Sequence, residues 1–185
     1  MKPRGPLMIE HRLIEKMIEI IKQKIPEINK SKQVDPIFID TAVDFIRMYA
    51  DKTHHGKEEE IMFRECIKKN MAKEDIKIMN ELIEEHKIGR KTVAKIIEAK
   101  ENYLKGQNTI DIILEQLDIL VDFYPKHILK EDSNFFPSTE KYFSEVELQE
   151  MLKEFWEFDK SMIHFKYKQV IAEIEKSKNC KLIIK

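Results

Sequence analysis

Apolar residues recur along this chain at intervals of three and four, the spacing of one helix face. Five helical segments follow from that rhythm. The first runs from after Pro6 to Pro26, with Leu7, His11, Ile14, Ile18, Ile21 and Ile25 in line. Asp35-Pro36 reads as an N-cap followed by a first helical residue. It opens a long helix to about Lys69, whose stripe is Ile39, Val43, Ile46, Ala50, His54, Glu58 and Ile61. Gly56 lies inside this run, at a cost of about 1 kcal/mol against alanine. The third segment covers about Lys73 to Leu104 and stops at Gly106, with Ile76, Met79, Ile83, His86, Arg90, Val93 and Ile97 in register. The fourth runs from about Thr109 into the 130s through Ile113, Leu117, Leu120, Tyr124, His127 and Glu131; Pro125 inside it is expected to kink it or disturb its hydrogen-bond ladder. After Phe136-Pro137-Ser138, a fifth segment extends from about Ser144 to Ser177 and ends in a Lys-rich tail.

Composition supports the helices and narrows the function. With 4 Gly and 6 Pro in 185 residues, turns are few and elements long, which excludes a sandwich or a barrel. Charged residues reach 36% and hydrophobic ones 42%, so a core forms only from strongly amphipathic helices. The 33 basic and 34 acidic residues leave a net charge of -1, against the basic excess of a nucleic-acid binder. No apolar run is long enough to span a membrane, and Met1-Lys2-Pro3-Arg4-Gly5-Pro6 does not resemble a secretory signal. Cys66 and Cys180 make no metal or redox pair: Cys66 reads as a small core residue and Cys180 as part of the polar tail. The cytoplasm is the expected compartment.

Four of the six histidines fall on the apolar stripes, one on each of the first four helices: His11, His54, His86 and His127. They belong to a repeat. His54-His55-Gly56-Lys57-Glu58-Glu59 aligns with His127-Ile128-Leu129-Lys130-Glu131-Asp132, and each block places a Phe nine positions after its histidine. Upstream, Glu10-His11-Arg12 aligns with Glu85-His86-Lys87. His54 follows His11 by 43 positions and His127 follows His86 by 41. The chain is thus a duplicated helical hairpin.

The spacing has a chemical meaning. Residues i and i+4 lie on one helix face, so each His-x-x-x-Glu aims an imidazole and a carboxylate at one place. Two hairpins packed about a pseudo-two-fold axis bring four imidazoles and two carboxylates into a bundle core. Two buried carboxylates side by side are costly, and two metal ions remove that cost. Mixed imidazole and carboxylate donors suit iron, with zinc or manganese as substitutes. The repeat also selects His54 with Glu58, not His55 with Glu59, as the partner of His127 with Glu131.

On these motifs, from about Leu7 to Pro137, the chain resembles the hemerythrin-like (HHE cation-binding) domains. The resemblance implies an all-α fold: an antiparallel up-down four-helix bundle over residues 1–138, with 139–185 as a C-terminal fifth helix and tail. It implies a non-haem, oxo- or hydroxo-bridged di-iron centre with His11, His54, His86 and His127 as terminal ligands and Glu58 and Glu131 as bridges. Members that carry oxygen have a further histidine one turn after the third-helix ligand, where this chain has Arg90. The resulting four-histidine, two-glutamate set is similar to that of related iron-centre repair and nitric-oxide-response proteins, whose cysteine-containing N-terminal segment has no counterpart before the first helix here. Donor counting then leaves one open position on each iron, which favours redox turnover over reversible carriage.

Other residues are assigned around that centre. Tyr124, one turn before His127, either donates a hydrogen bond into the site or is a core aromatic. Arg90 pairs with a bridging glutamate or a bound anion, or reaches outward. Asp51 orients a ligand imidazole or faces solvent. His55 is expected to turn away from the stripe, His164 to be structural or exposed, and Glu59, Glu60 and Asp132 to form a solvated acidic face. The fifth helix, with Phe155, Trp156, Phe158, Ile163, Phe165 and Tyr167, packs on the bundle or forms a dimer or partner surface. Three functional readings follow: a di-iron protein that binds and reduces oxygen, peroxide or nitric oxide with an electron donor protein; a non-enzymatic gas or metal sensor or storage module; and a metal-free bundle. The chain is expected to be a monomer or homodimer, bound to neither membrane nor nucleic acid.

Overall fold

A computed structural model describes residues 2–182; the side chains of residues 167, 169, 170 and 172–182 lie outside the described residues, so the expectations for Tyr167 and Cys180 do too. The described residues form helices and no strands. Helix α1 is Arg4–Ser31. Helix α2 is continuous but composite, with α-helical Pro36–Phe45 and Arg64–Ile67 flanking π-helical Ile46–His55 and Glu58–Phe63. Helix α3 is Lys73–Leu104. Helix α4 joins Ile110–Lys130, π-helical Glu131–Phe135 and Phe136–Glu140. Helix α5 is Glu145–Leu182.

The ends follow from local chemistry. Asp35 caps α2 by accepting a 3.0 Å hydrogen bond from the Ile37 N–H, with Pro36 at the first helical position. Gly106, at φ 84°, supplies the left-handed residue after α3. Ser144 and Glu147 form a reciprocal capping box at the start of α5: the Ser144 N–H donates to Glu147 over 2.8 Å and the Glu147 N–H to Ser144 Oγ over 3.3 Å. Pro26 does not end α1, which continues to a cap at Lys32, whose φ is 50° and whose N–H donates to the Ile28 carbonyl. Helix α4 likewise runs on through Pro125.

Helices α1 to α4 close a ring in which each packs on its neighbours in sequence and α1 packs on α4. Short connections make these neighbours antiparallel. The predicted stripes of α1, α2 and α4 face inward. That of α3 is rotated: Leu82, Gly89 and Ile96 are buried, whereas Ile76 is 41% exposed and Arg90 is exposed. The Ile76–Ile83–Ile97 flank of the His86 row carries more large apolar residues than the Leu82–Gly89–Ile96 flank, so hydrophobicity alone does not predict which one is buried.

The core has two parts. One apolar cluster gathers Ile14, Ala50, Val93 and Tyr124 with their neighbours; the other gathers Leu7, Ile61, Met79, Phe135 and Phe155. Between Leu7 and Ile14, Ala50 and Ile61, Met79 and Val93, and Tyr124 and Phe135 lie the histidines and glutamates of the repeat. Cys66 is a buried core residue, as expected, and burial pushes its thiol up to about 12. Helix α5 packs on the π-helical part of α2, burying Leu148, Met151, Leu152 and Phe155 and leaving Trp156 and Ile163 exposed. His164 is exposed.

Candidate metal centre

The six predicted residues meet in that layer. His11, His54, His86 and His127 are at most 2% exposed, and Glu58 and Glu131 are fully buried. Both glutamates open a π-helical segment, so the two halves distort their helices at matching positions. Segments of this kind widen the turn and concentrate at functional sites.

The carboxylates span the histidines. Glu58 Oε1 lies 3.4 Å from His54 Nε2, and Glu58 Oε2 lies 3.4 Å from His86 Nε2. Glu131 Oε2 lies 3.1 Å from His11 Nε2, and its Oε1 lies 3.2 Å from His127 Nε2. Each glutamate therefore offers one oxygen to the His11–His54 pair and one to the His86–His127 pair.

Every imidazole is held from behind by a carboxylate at Nδ1. Asp132 holds His11 at 2.7 Å, Glu10 holds His54 at 2.9 Å, Glu59 holds His86 at 2.6 Å and Glu85 holds His127 at 2.8 Å. A carboxylate there takes the Nδ1 proton and leaves the Nε2 lone pair facing the centre, the arrangement that orients metal-binding histidines. The repeat is complete in this respect too: the residue before each first-helix histidine holds the second-helix histidine, and the residue after each bridging glutamate holds a first-helix histidine. Glu59 and Asp132 are thus not part of a solvated acidic face; only Glu60 is exposed as expected. Their role escapes sequence reading because an acid beside an acid looks like a charged surface until the opposite helix is in place.

Cations brace these acids in turn. The repeated lysines Lys57 and Lys130 bind Glu10 and Glu85, and Arg12 and Arg90 bind Asp132 and Glu59. Arg90 also meets Asp51 at 2.7 Å, so it pairs with outer acids and not with a bridging glutamate. Burial pushes the Glu59 and Glu85 carboxyls up, but hydrogen bonds from His86 and Arg90, and from His127 and Lys130, outweigh it and hold both below the usual range.

The centre itself is uncompensated. Both oxygens of Glu58 and of Glu131, and Nε2 of His86 and of His127, are buried without a hydrogen-bond partner. His11 and His54 bring their Nε2 atoms to 2.8 Å, so that one of them carries a proton unless a cation lies between them. Burial drives the Glu58 and Glu131 carboxyls far above their usual range, and for Glu131 the neighbouring Glu58 charge adds to it. Burial drives His54 well down and His127 to about 4, so these two imidazoles are neutral and able to bind a cation at pH 7. A donor set of this kind, with its lone pairs converging and no donors of its own, fits metal ions.

His55 departs from expectation. It is 2% exposed and does not turn away: its ring stacks on His86 with centroids 3.8 Å apart and planes at 11°. In a π-helical turn, hydrogen bonds span five residues, as from the Gly56 N–H to the Asp51 carbonyl, and successive side chains diverge by less than the ~100° of an α-helix. His54 and His55 therefore both reach the interior. A cavity of about 280 Å³ opens on this side, lined by Asp51, His55, His86, Gly89, Arg90 and Tyr124. Tyr124 is buried, and its ring stacks over His55 at 6.5 Å.

The comparisons with known proteins agree with this geometry. A family model described as the hemerythrin HHE cation binding domain matches residues 6–139. No curated protein and no solved structure matches the chain significantly. Among the described residues, no helix is long and apolar enough to cross a membrane.

Proposed function

Since the chain belongs to the hemerythrin HHE cation-binding family, we propose that it is a non-haem di-iron protein that binds and reduces a small oxidant: oxygen, peroxide or nitric oxide. The observation that carries this reading is the division of each buried glutamate between two histidine pairs. His11 and His54 would hold one metal and His86 and His127 the other, with Glu58 and Glu131 each placed to offer an oxygen to both. Mixed imidazole and carboxylate donors suit iron, with zinc or manganese as substitutes. Bound iron supplies redox electrons and exchangeable positions. The chain's own residues exclude water by burial, hold each imidazole through Nδ1, and keep the bridging carboxylates in place. Defence against oxidative or nitrosative stress in the cytoplasm, with electrons from a partner protein, is the role this chemistry suits.

A second reading is a sensor or storage module without turnover. It is favoured by α5, whose outer side leaves Trp156 52% exposed and Ile163 61% exposed. Metal analysis of protein purified without chelators tests the shared premise. Two irons per chain, lost in the Glu58→Ala, Glu131→Ala double variant, is the expected result; one metal or none overturns the di-iron reading. Reductant-dependent consumption of peroxide, oxygen or nitric oxide then separates enzyme from sensor.

A further inference from the structure

His55 is the one imidazole of the layer that the duplication does not account for. Its counterpart in the second half is Ile128, a buried apolar residue in the core beside Tyr124. The hairpin therefore folds with a hydrocarbon at this position. An imidazole there is a liability unless it binds something: both ring nitrogens of His55 are buried without a hydrogen-bond partner, and an unsatisfied buried polar group is destabilising.

The surroundings show what it is placed to bind. The potential ligand atoms of the layer fall into two groups, each within 4.8 Å internally: His11, His54, Glu58 and Glu131 form one, and His55, His86 and His127 form the other. His55 stacks on His86 and meets His127 edge-on at 5.5 Å, with planes at 82°. Its Nδ1 lies 3.5 Å from Asp51 Oδ1, and Arg90 braces that carboxylate at 2.7 Å. The acid behind the ring, itself tied to a cation, takes the position of the carboxylates behind the other four imidazoles, but at 3.5 Å it stands outside the 2.6–2.9 Å of their hydrogen bonds. Asp51 thus stands behind His55 and not behind His54.

We propose that His55, its ring turned out of the cofacial stack on His86 so that their lone pairs converge, is a fifth imidazole ligand, completing a three-histidine metal position with His86 and His127 while the other metal keeps His11 and His54. The inference rests on the two-metal reading above and deepens it. It makes the two positions unequal, three imidazoles against two, and so replaces one exchangeable position per metal with a single one beside His11 and His54. The helix before the turn supplies the ligand that the Arg90 position does not.

The test compares iron-loaded wild type with His55→Ile, which restores the repeat residue. The wild type is expected to hold two irons with two distinct Mössbauer quadrupole doublets and to take up one azide per pair in an optical titration. In His55→Ile one iron is expected to leave to a ferrous chelator at least about tenfold faster, since loss of an outer partner alone already lowers metal affinity about 10–100-fold, with altered doublets and a second azide bound. A His55→Gly variant, with the same release assay run with and without added imidazole, keeps the test decisive if isoleucine disturbs folding: imidazole is expected to restore slow release. Release rates, doublets and azide stoichiometry unchanged from wild type in both variants would overturn the ligand role and leave the two-metal reading standing. A wild type that binds no iron pair overturns both.

Discussion

The two hairpins carry the same set of residues, yet helix α5 makes them physically different. In the first, Lys57 is fully buried between Glu10 and Asp159, the latter 2.7 Å away on α5, with the Phe155 ring 5.9 Å from its ammonium. In the second, Lys130 reaches Glu85 at 2.5 Å and Glu81 at 3.1 Å while staying 26% exposed. The acids respond in opposite directions. Burial pushes the Glu10 carboxyl up more than Lys57 pulls it down, whereas hydrogen bonds from His127 and Lys130 bring Glu85 below its usual range. An identical His-x-x-Lys-Glu block is therefore a buried ion network in one half and a rim network in the other. What a repeated residue contributes depends on what covers it.

The sharpest way to break that comparison is at the two lysines. Lys57→Met leaves Glu10 and Asp159 facing each other without their cation, and is expected to cost about 3–5 kcal/mol, the usual result of orphaning a buried charge. Lys130→Met is expected to cost no more than about 1 kcal/mol, as for an exposed pair. Urea denaturation of both variants at fixed iron content measures the difference; equal losses would mean that α5 does not seal the first half.

Next come the acids behind the histidines. Glu10→Gln and Glu85→Gln are each expected to lower metal affinity about 10–100-fold, because either change weakens the hold on one ligand imidazole. Competition with a chelator of known affinity reads this. Similar losses at the two sites show that the halves remain equal toward metal even where they differ in burial.

A smaller effect is expected at Gly56, whose repeat partner Leu129 is 64% exposed. A Cβ at position 56 would come within 2.7 Å of the Phe158 ring, so α5 lies on this glycine without room for a methyl group. Gly56→Ala is expected to cost about 1–3 kcal/mol by overpacking, against about 0.5 kcal/mol or less for Leu129→Ala, in thermal melts. Should Gly56→Ala stabilise the protein instead, the ring has shifted and helix propensity has won.

The smallest effect is on the attachment of α5 in acid. Lys69 and the Ser144 cap hold the Glu147 carboxyl down at about 2, from an ordinary 4.5. A folded value below the unfolded one means that the contribution is complete above about pH 4.5 and is lost as pH falls toward 2. Hydrogen exchange at the first turn of α5 is expected to speed up over that window in the wild type. In Glu147→Gln it is expected to be faster at neutral pH and nearly flat below it.

Much of this was legible beforehand because it is periodic. The stripes of α1, α2 and α4, the N-cap at Asp35, the stop at Gly106 and the convergence of His11, His54, Glu58, His86, His127 and Glu131 all follow from spacings of three, four and about forty residues. The misreadings have local causes. Pro26 does not end its helix, and α3 turns its Leu82–Gly89–Ile96 flank inward although the Ile76–Ile83–Ile97 flank is richer in large apolar residues. Glu59 and Asp132 are charged residues whose partners come from other helices, which no spacing along one helix reveals.

What the amino-acid order determined by itself is the duplication, and with it which histidines and glutamates share one layer: helical periodicity is a local property, and a repeat copies it. What only the tertiary structure decided is how the layer is divided and supported. Each glutamate's two oxygens go to different histidine pairs because four helices meet at one level. Each imidazole's carboxylate is borrowed from a neighbouring helix. His55 joins the interior because α2 widens to π-helical turns there, and an α-helical wheel drawn from sequence has no means of showing that change of pitch.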